Sequence, residues 1–144
     1  MEIQIKEGMK ITKPQKVAKV LQLILNGEND LDQDKEHFWV VGLTAASCIK
    51  YVELVTLGIL NQSVVHPREI FRMAILKSVV ALIVGHNHPS GKVAPSDTDK
   101  RITEVIASAG DIIGIKLVDH IIIGNNTKRY YSFKEDGFED NRQT

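Results

Sequence analysis

Two histidines two residues apart, His86 and His88, and a serine and an aspartate just beyond them, Ser96 and Asp99, are the residues best suited to chemistry here. They follow an unbroken apolar run over residues 79–84, which has the length and β-branched content of a buried central strand. If the strand continues through the histidines, both imidazoles point to one face, because side chains alternate along an extended chain. Two imidazoles on one face can grip one cation. Pro89, Ser90 and Gly91 then break the strand, and a helical pattern opens at Ser96, so Asp99 falls in a first helical turn. Two imidazoles and a carboxylate suit zinc, and three protein ligands leave a fourth position open, as in catalytic sites. Ser96 and Asp99 also form an N-capping pattern, in which the serine oxygen takes a free backbone N–H. An H-x-H pair on a strand is also found in purely structural settings. A capped turn nevertheless holds its aspartate rigidly, which a metal site requires.

The spacing H-x-H, seven residues, Ser, two residues, Asp resembles the metal signature of the JAMM (MPN+) metalloprotease superfamily. The wider context is more specific. Val64-Val65-His66-Pro67-Arg68-Glu69-Ile70-Phe71, Gly85-His86-Asn87-His88-Pro89-Ser90-Gly91 and Leu117-Val118-Asp119-His120 occur in the order found in the RadC branch, and the similarity covers roughly residues 36–138. The resemblance implies a cytidine-deaminase-like fold and one zinc per chain, held by His86, His88 and Asp99. It also implies hydrolysis of peptide or isopeptide bonds in a peptide or protein substrate.

Such chemistry needs a proton carrier. Zinc lowers the pKa of a water to about 7, and a nearby carboxylate can then take and deliver the proton. In the JAMM pattern that carboxylate lies upstream of the histidines at the start of a core strand, where Glu36 stands. Glu53 is the rival, an acid inside an otherwise apolar strand, where burial without a partner is costly; the bland reading puts it on a solvent-facing sheet surface. Ser96, by the resemblance, donates a hydrogen bond to the substrate carbonyl as charge develops, a role its hydroxyl does not freely combine with capping. Backbone amides of the same turn can assist. Asp119 and His120 point to opposite faces of a later strand, and either could orient a ligand; for His120 a structural role is the simpler reading. His37 and His66 are read as structural or exposed. Two departures matter. RadC-type proteins commonly carry a helix-hairpin-helix-like region ahead of this domain, which residues 1–35 do not show, so a DNA-related role credited to it does not carry over. The loop Thr44-Ala45-Ala46-Ser47 lacks the Asp and Asn residues common in the family hairpin.

The elements that must position these residues can be read from periodicity. After a possible short N-terminal strand, Thr12 and Pro14 mark a helix start, and Val17, Val20, Leu21, Ile24 and Leu25 share one face up to a stop at Asn26-Gly27. Residues 28–35 are acidic and polar and read as an exposed loop without function. Strands follow over residues 38–43 and 49–57, paired antiparallel through a turn at 44–47. Pro67 opens a helix that turns Ile70, Phe71 and Ala74 inward and leads into the histidine strand. Past Ser96, Ile102, Val105, Ile106 and Ala109 keep helical spacing to Gly110, the expected stop. Strands over residues 115–123 and 129–133 complete the sheet, and the tail from residue 134 is polar and expected to fray. The class is α+β, with a mixed, mainly antiparallel sheet flanked by helices. At 144 residues a single domain is expected.

Composition bounds the rest. The chain is 43% apolar and 25% charged, with formal net charge zero. Nucleic-acid binders usually carry a basic excess, so nucleic acid is not the expected partner. The lone Cys48 excludes an intramolecular disulfide and fits a reducing compartment. Neither a signal-peptide core nor an apolar run of about 20 residues is present, so no membrane partner is expected and the cytoplasm is the expected location. Two further function classes remain beside a zinc hydrolase: a non-catalytic MPN interaction module, which tends to lose the metal ligands retained here, and a DNA-repair accessory or nuclease.

Overall fold

The computed structural model describes residues 1–5, 8–61 and 63–136. Its elements are β1 (Glu2–Ile3), α1 (Pro14–Asn26), α2 (Asp30–Gln33), β2 (His37–Leu43), β3 (Ile49–Leu57), α3 (Pro67–Leu76), β4 (Ala81–His88), α4 (Asp97–Ile113), β5 (Lys116–Gly124) and β6 (Tyr130–Ser132). The strands form one sheet in the order β1-β3-β2-β4-β5-β6. Only β4 and β5 run parallel; the other pairings are antiparallel. This follows from the connections. A short turn between β2 and β3 closes a hairpin, whereas a parallel pair needs a long crossover, and α4 supplies it. The α+β class and the mainly antiparallel sheet are thus observed, and they match a JAB/MPN-type fold.

Alternation along the strands sorts the core into two layers. Phe38 and Val40 of β2, Tyr51 of β3 and Leu82 and Val84 of β4 pack under α3 and α4 with Ile70, Phe71, Ile102 and Ile106. Trp39, Val41, Ile83 and Ile121 face the other way and meet Val17, Ala18, Leu21 and Leu25 of α1. β2 and β4 are buried on both faces, so they read as continuous apolar runs instead of alternating ones. β4 carries its histidines at its C-terminal end, deep in the middle of the sheet.

Two expectations are corrected. Gly110 does not stop α4; the helix runs on to Ile113 and ends where Gly114 adopts a left-handed conformation, with φ 87°. Gly110 is instead a packing residue, since a Cβ there would stand 2.4 Å from the carbonyl oxygen of Ile115. Both glycines sit near the end of the periodic pattern, and only the tertiary contact tells them apart. Residues 28–35 are not a plain exposed loop either. They hold the one-turn helix α2, capped by Asn29, and their main chain is tied into the sheet as described below. Most of the polar tail, residues 137–144, lies outside the described residues.

Candidate metal centre

At the C-terminal end of β4, His86 and His88 project from the same face, and the first turn of α4 brings Asp99 to meet them. The Nε2 atoms of the two histidines are 3.0 Å apart. His86 Nε2 lies 3.2 Å from Asp99 Oδ1, and His88 Nε2 lies 3.1 Å from Asp99 Oδ2. Among the described residues these three form the group suited to hold a metal ion. Bonds of about 2.0–2.2 Å to a tetrahedral zinc put ligand atoms about 3.3–3.5 Å apart, so the three donors fit the ion with small outward adjustments. Three polar groups pointed at one another inside a half-dry site repel unless a cation or shared protons lie between them.

The charges are arranged accordingly. Burial pushes the Asp99 carboxyl up, but the two imidazoles outweigh burial and hold it well below the usual carboxylate range. The Asp99 contact raises the His88 pKa against the opposing effect of burial, with a smaller contribution from the charge of Glu36. Ser96 and Asp99 form a reciprocal capping box: Asp99 N donates to Ser96 Oγ at 3.0 Å, and Ser96 N donates to Asp99 Oδ2 at 2.9 Å. Capping and ligand positioning are therefore served by the same contacts. In its capping bond the Ser96 hydroxyl acts as acceptor, so the cap does not use its own proton. This removes the conflict expected from sequence.

Glu36 is half-buried immediately before β2, and its carboxylate accepts a hydrogen bond from Leu60 N at 3.1 Å. Phe38 pairs with His86; carrying that antiparallel register two residues further sets Glu36 across from His88. Glu53 lies on the same face of the sheet but out on β3, paired with Val40. It is 2% exposed, so the solvent-facing reading is corrected. Arg72 approaches one of its oxygens at 3.8 Å and the other has no hydrogen-bond partner. Burial raises its pKa against the opposing charges of the N-terminus and Arg72.

His120 and Asp119 take opposite faces of β5. His120 is buried on the metal side, with Nε2 2.8 Å from His86 Nδ1. Asp119 faces away and binds the hydroxyl of Ser132 at 2.6 Å and the backbone N–H groups of His120 and Lys134. Burial raises its pKa although these bonds oppose the shift. Asp119 thus fixes the β5–β6 backbone that carries His120. Phe133, following β6, stacks on the His120 ring with centroids 4.6 Å apart. His66 is the N-cap of α3.

Sequence reasoning missed a second polar cluster, centred on Asn87 between the two histidines. Alternation turns Asn87 to the opposite face, where its Oδ1 accepts from His37 N at 2.6 Å and its Nδ2 donates to Lys35 O at 3.0 Å and Asn125 Oδ1 at 2.8 Å. Asn125 Nδ2 donates to Gln33 O at 2.6 Å, and the buried His37 pairs through Nε2 with the Glu28 carboxylate. Residues 28–36 are pinned to the end of β4 in this way, and Glu36 with them. Thr103 was also missed. Its signal was a polar β-branched residue beside Ile102 on the inward side of a helix, one turn after Asp99.

The fold and the three converging side chains, which could hold a metal ion, define a JAB/MPN-type hydrolase scaffold. The RadC-like JAB domain family matches residues 11–138, and the chain belongs to that family. A UPF0758 protein of Desulforudis audaxviator is 50% identical over 104 residues, covering 72% of this chain and 44% of the relative. One from Chlorobaculum tepidum is 45% identical over 104 residues, covering 72% of the chain and 46% of the relative. One from Caldanaerobacter subterraneus is 42% identical over 134 residues, covering 93% of the chain and 54% of the relative. The chain therefore spans about half the length of the curated relatives it matches. No helix among the described residues is long and apolar enough to cross a membrane.

Proposed function

We propose that this chain is a zinc-dependent hydrolase of peptide or isopeptide bonds. The observation that carries the reading is the convergence of His86 Nε2, His88 Nε2 and the Asp99 carboxylate within 3.0–3.2 Å contacts at the end of a central strand. Zinc bound by these groups would supply Lewis acidity, polarising the scissile carbonyl and acidifying a water. Glu36 is the group to take the proton from the attacking water and deliver it to the departing amine. Ser96 donates its hydroxyl proton to the carbonyl oxygen as negative charge develops there, with its own oxygen anchored by Asp99 N. The scissile amide would belong to a peptide or protein substrate.

Purified protein is expected to carry about one zinc per chain with ligand bonds of about 2.0–2.2 Å, read by elemental analysis and X-ray absorption. Full zinc occupancy in the His86→Ala/His88→Ala double variant would overturn the assignment.

A nucleic-acid reading is favoured by one observation. Residues 8–27 contain Lys10, Lys13, Lys16 and Lys19 and no acid, and Lys19 lines one cleft with Lys128 and Tyr130. Overall neutrality thus conceals a locally basic side. Against it stands the candidate metal group, which lies on the opposite face of the sheet. The expectation at physiological salt is a DNA affinity no better than about 10⁻⁵ M, in the non-specific range. Tighter, steeply salt-dependent binding in a gel-shift titration would revive the repair or nuclease reading.

A further inference from the structure

We propose that Thr103 and His120 are positioning residues that set the ring tautomer of His86, through a buried hydrogen-bonded relay that starts at the main chain of Asp99. The inference rests on reading His86 as a metal ligand, yet the relay itself is a property of the protein alone.

The direction of each bond follows from the one before it. Thr103 Oγ1 lies 2.7 Å from the carbonyl oxygen of Asp99. Two oxygens at that distance are bonded only if the hydroxyl donates, because a carbonyl has no proton to give. Thr103 Oγ1 also touches His120 Nδ1. With its one proton committed, the hydroxyl can only accept there, so His120 carries its proton on Nδ1. In the neutral ring Nε2 is then a lone pair, and it lies 2.8 Å from His86 Nδ1, which must donate. His86 is left with a bare Nε2, aimed at the point where His88 and Asp99 converge. His88 Nδ1 donates to the carbonyl of Lys92 at 2.8 Å, which leaves its Nε2 for a metal or for a proton shared with Asp99.

The alternative proton arrangement is instructive. If the Thr103 proton turned to His120, the bond to the Asp99 carbonyl would be lost, the two bonds beyond it would reverse, and His86 would present an N–H to the centre. That form can bind the Asp99 carboxylate but cannot ligate a metal. The position of one hydroxyl proton therefore separates a ligating His86 from a non-ligating one. Thr103, His120 and His86 are each 1% exposed, so water has no access to replace the missing partner. Phe133 stacked on one side and Phe38 edge-on at 5.9 Å hold the His120 ring in place. The relay also links the three elements around the centre, since Asp99 and Thr103 belong to α4, His120 to β5 and His86 to β4.

The test uses the full chain and the variants Thr103→Val, Thr103→Ser and His120→Leu, each first checked for cooperative thermal unfolding. The ring tautomer of His86 is read by ¹⁵N NMR of metal-free protein at mildly alkaline pH, and zinc affinity by competition with a chromophoric chelator. The parent and Thr103→Ser should show His86 protonated on Nδ1; Thr103→Val and His120→Leu should show a mixed or reversed tautomer. Zinc affinity should fall about 10- to 100-fold in Thr103→Val and His120→Leu, and the serine variant should stay near the parent. An unchanged tautomer with parental affinity in folded Thr103→Val and His120→Leu overturns the relay. A parent with the stated tautomer pattern but no zinc affinity would instead retire the metal reading and leave the relay standing.

Discussion

Asp99 and Glu53 are both buried carboxylates on the α3/α4 side of the sheet, and their surroundings push them in opposite directions. Asp99 gathers two imidazoles and a backbone N–H around its oxygens, and its acidity rises despite burial. Glu53 meets one distant guanidinium, keeps one oxygen without a hydrogen-bond partner, and becomes a weaker acid. Burial alone therefore does not make a carboxylate functional. What separates the two is convergence: the end of β4 and the start of α4 point several polar groups at one spot, whereas the middle of β3 points one acid into an apolar layer.

The largest contrast should come from removing each charge. Asp99→Asn is expected to abolish tight zinc binding, because it deletes the anionic ligand, while Glu53→Gln should keep parental zinc content in elemental analysis. Equal zinc loss in both would erase the distinction between site and core.

Catalysis should sharpen the same contrast. With a cleavable peptide or isopeptide substrate, Glu36→Gln should retain zinc and lower kcat by at least ~10²-fold, the low end of general acid–base contributions. Glu53→Gln should lower it far less. The reverse ranking in folded, metal-loaded proteins would move the proton-carrying role to β3.

Asn87 offers an intermediate test, because it supports the site from the opposite face without touching it. Asn87→Ala strands the His37 N–H and the Asn125 side chain in a buried setting, an expected loss of about 1–3 kcal/mol of stability. A chemical denaturation midpoint equal to the parent's would show that residues 28–36 are held by other contacts.

The smallest effect concerns pH and Glu53. Its folded pKa is raised, so the folded protein binds this proton more tightly than the unfolded chain does. Its contribution is fully present in acid below the ordinary glutamate range and is lost as pH rises through the folded value. Glu53→Gln removes that loss. The variant should therefore gain thermal stability relative to the parent as pH rises from below the ordinary glutamate range. A difference in unfolding temperature that stays flat over this rise would mean that Arg72 and the N-terminus fully compensate the buried charge.

Much of the frame was legible in the chain because it depends on local periodicity. The starts of α1 and α3 at prolines, the β2–β3 hairpin and the apolar β4 are imposed by φ restriction, turn residues and side-chain alternation. The candidate metal group was legible for the same reason. His86 and His88 are two apart on a strand, and Ser96 fixes the turn that holds Asp99, so most of the geometry is short-range. Tertiary structure decided everything that depends on meeting a distant partner. Which of Gly110 and Gly114 ends α4 turns on the carbonyl of Ile115. Whether Glu53 is wet or dry turns on the packing around β3, which leaves it buried beside Arg72 of α3. The polar residues 28–35 look solvated in sequence because their partners, Asn87 and Asn125, lie more than 50 residues away, and hydropathy cannot register a hydrogen bond. Thr103 and His120 come within reach of His86 only after α4 crosses over to set β5 beside β4.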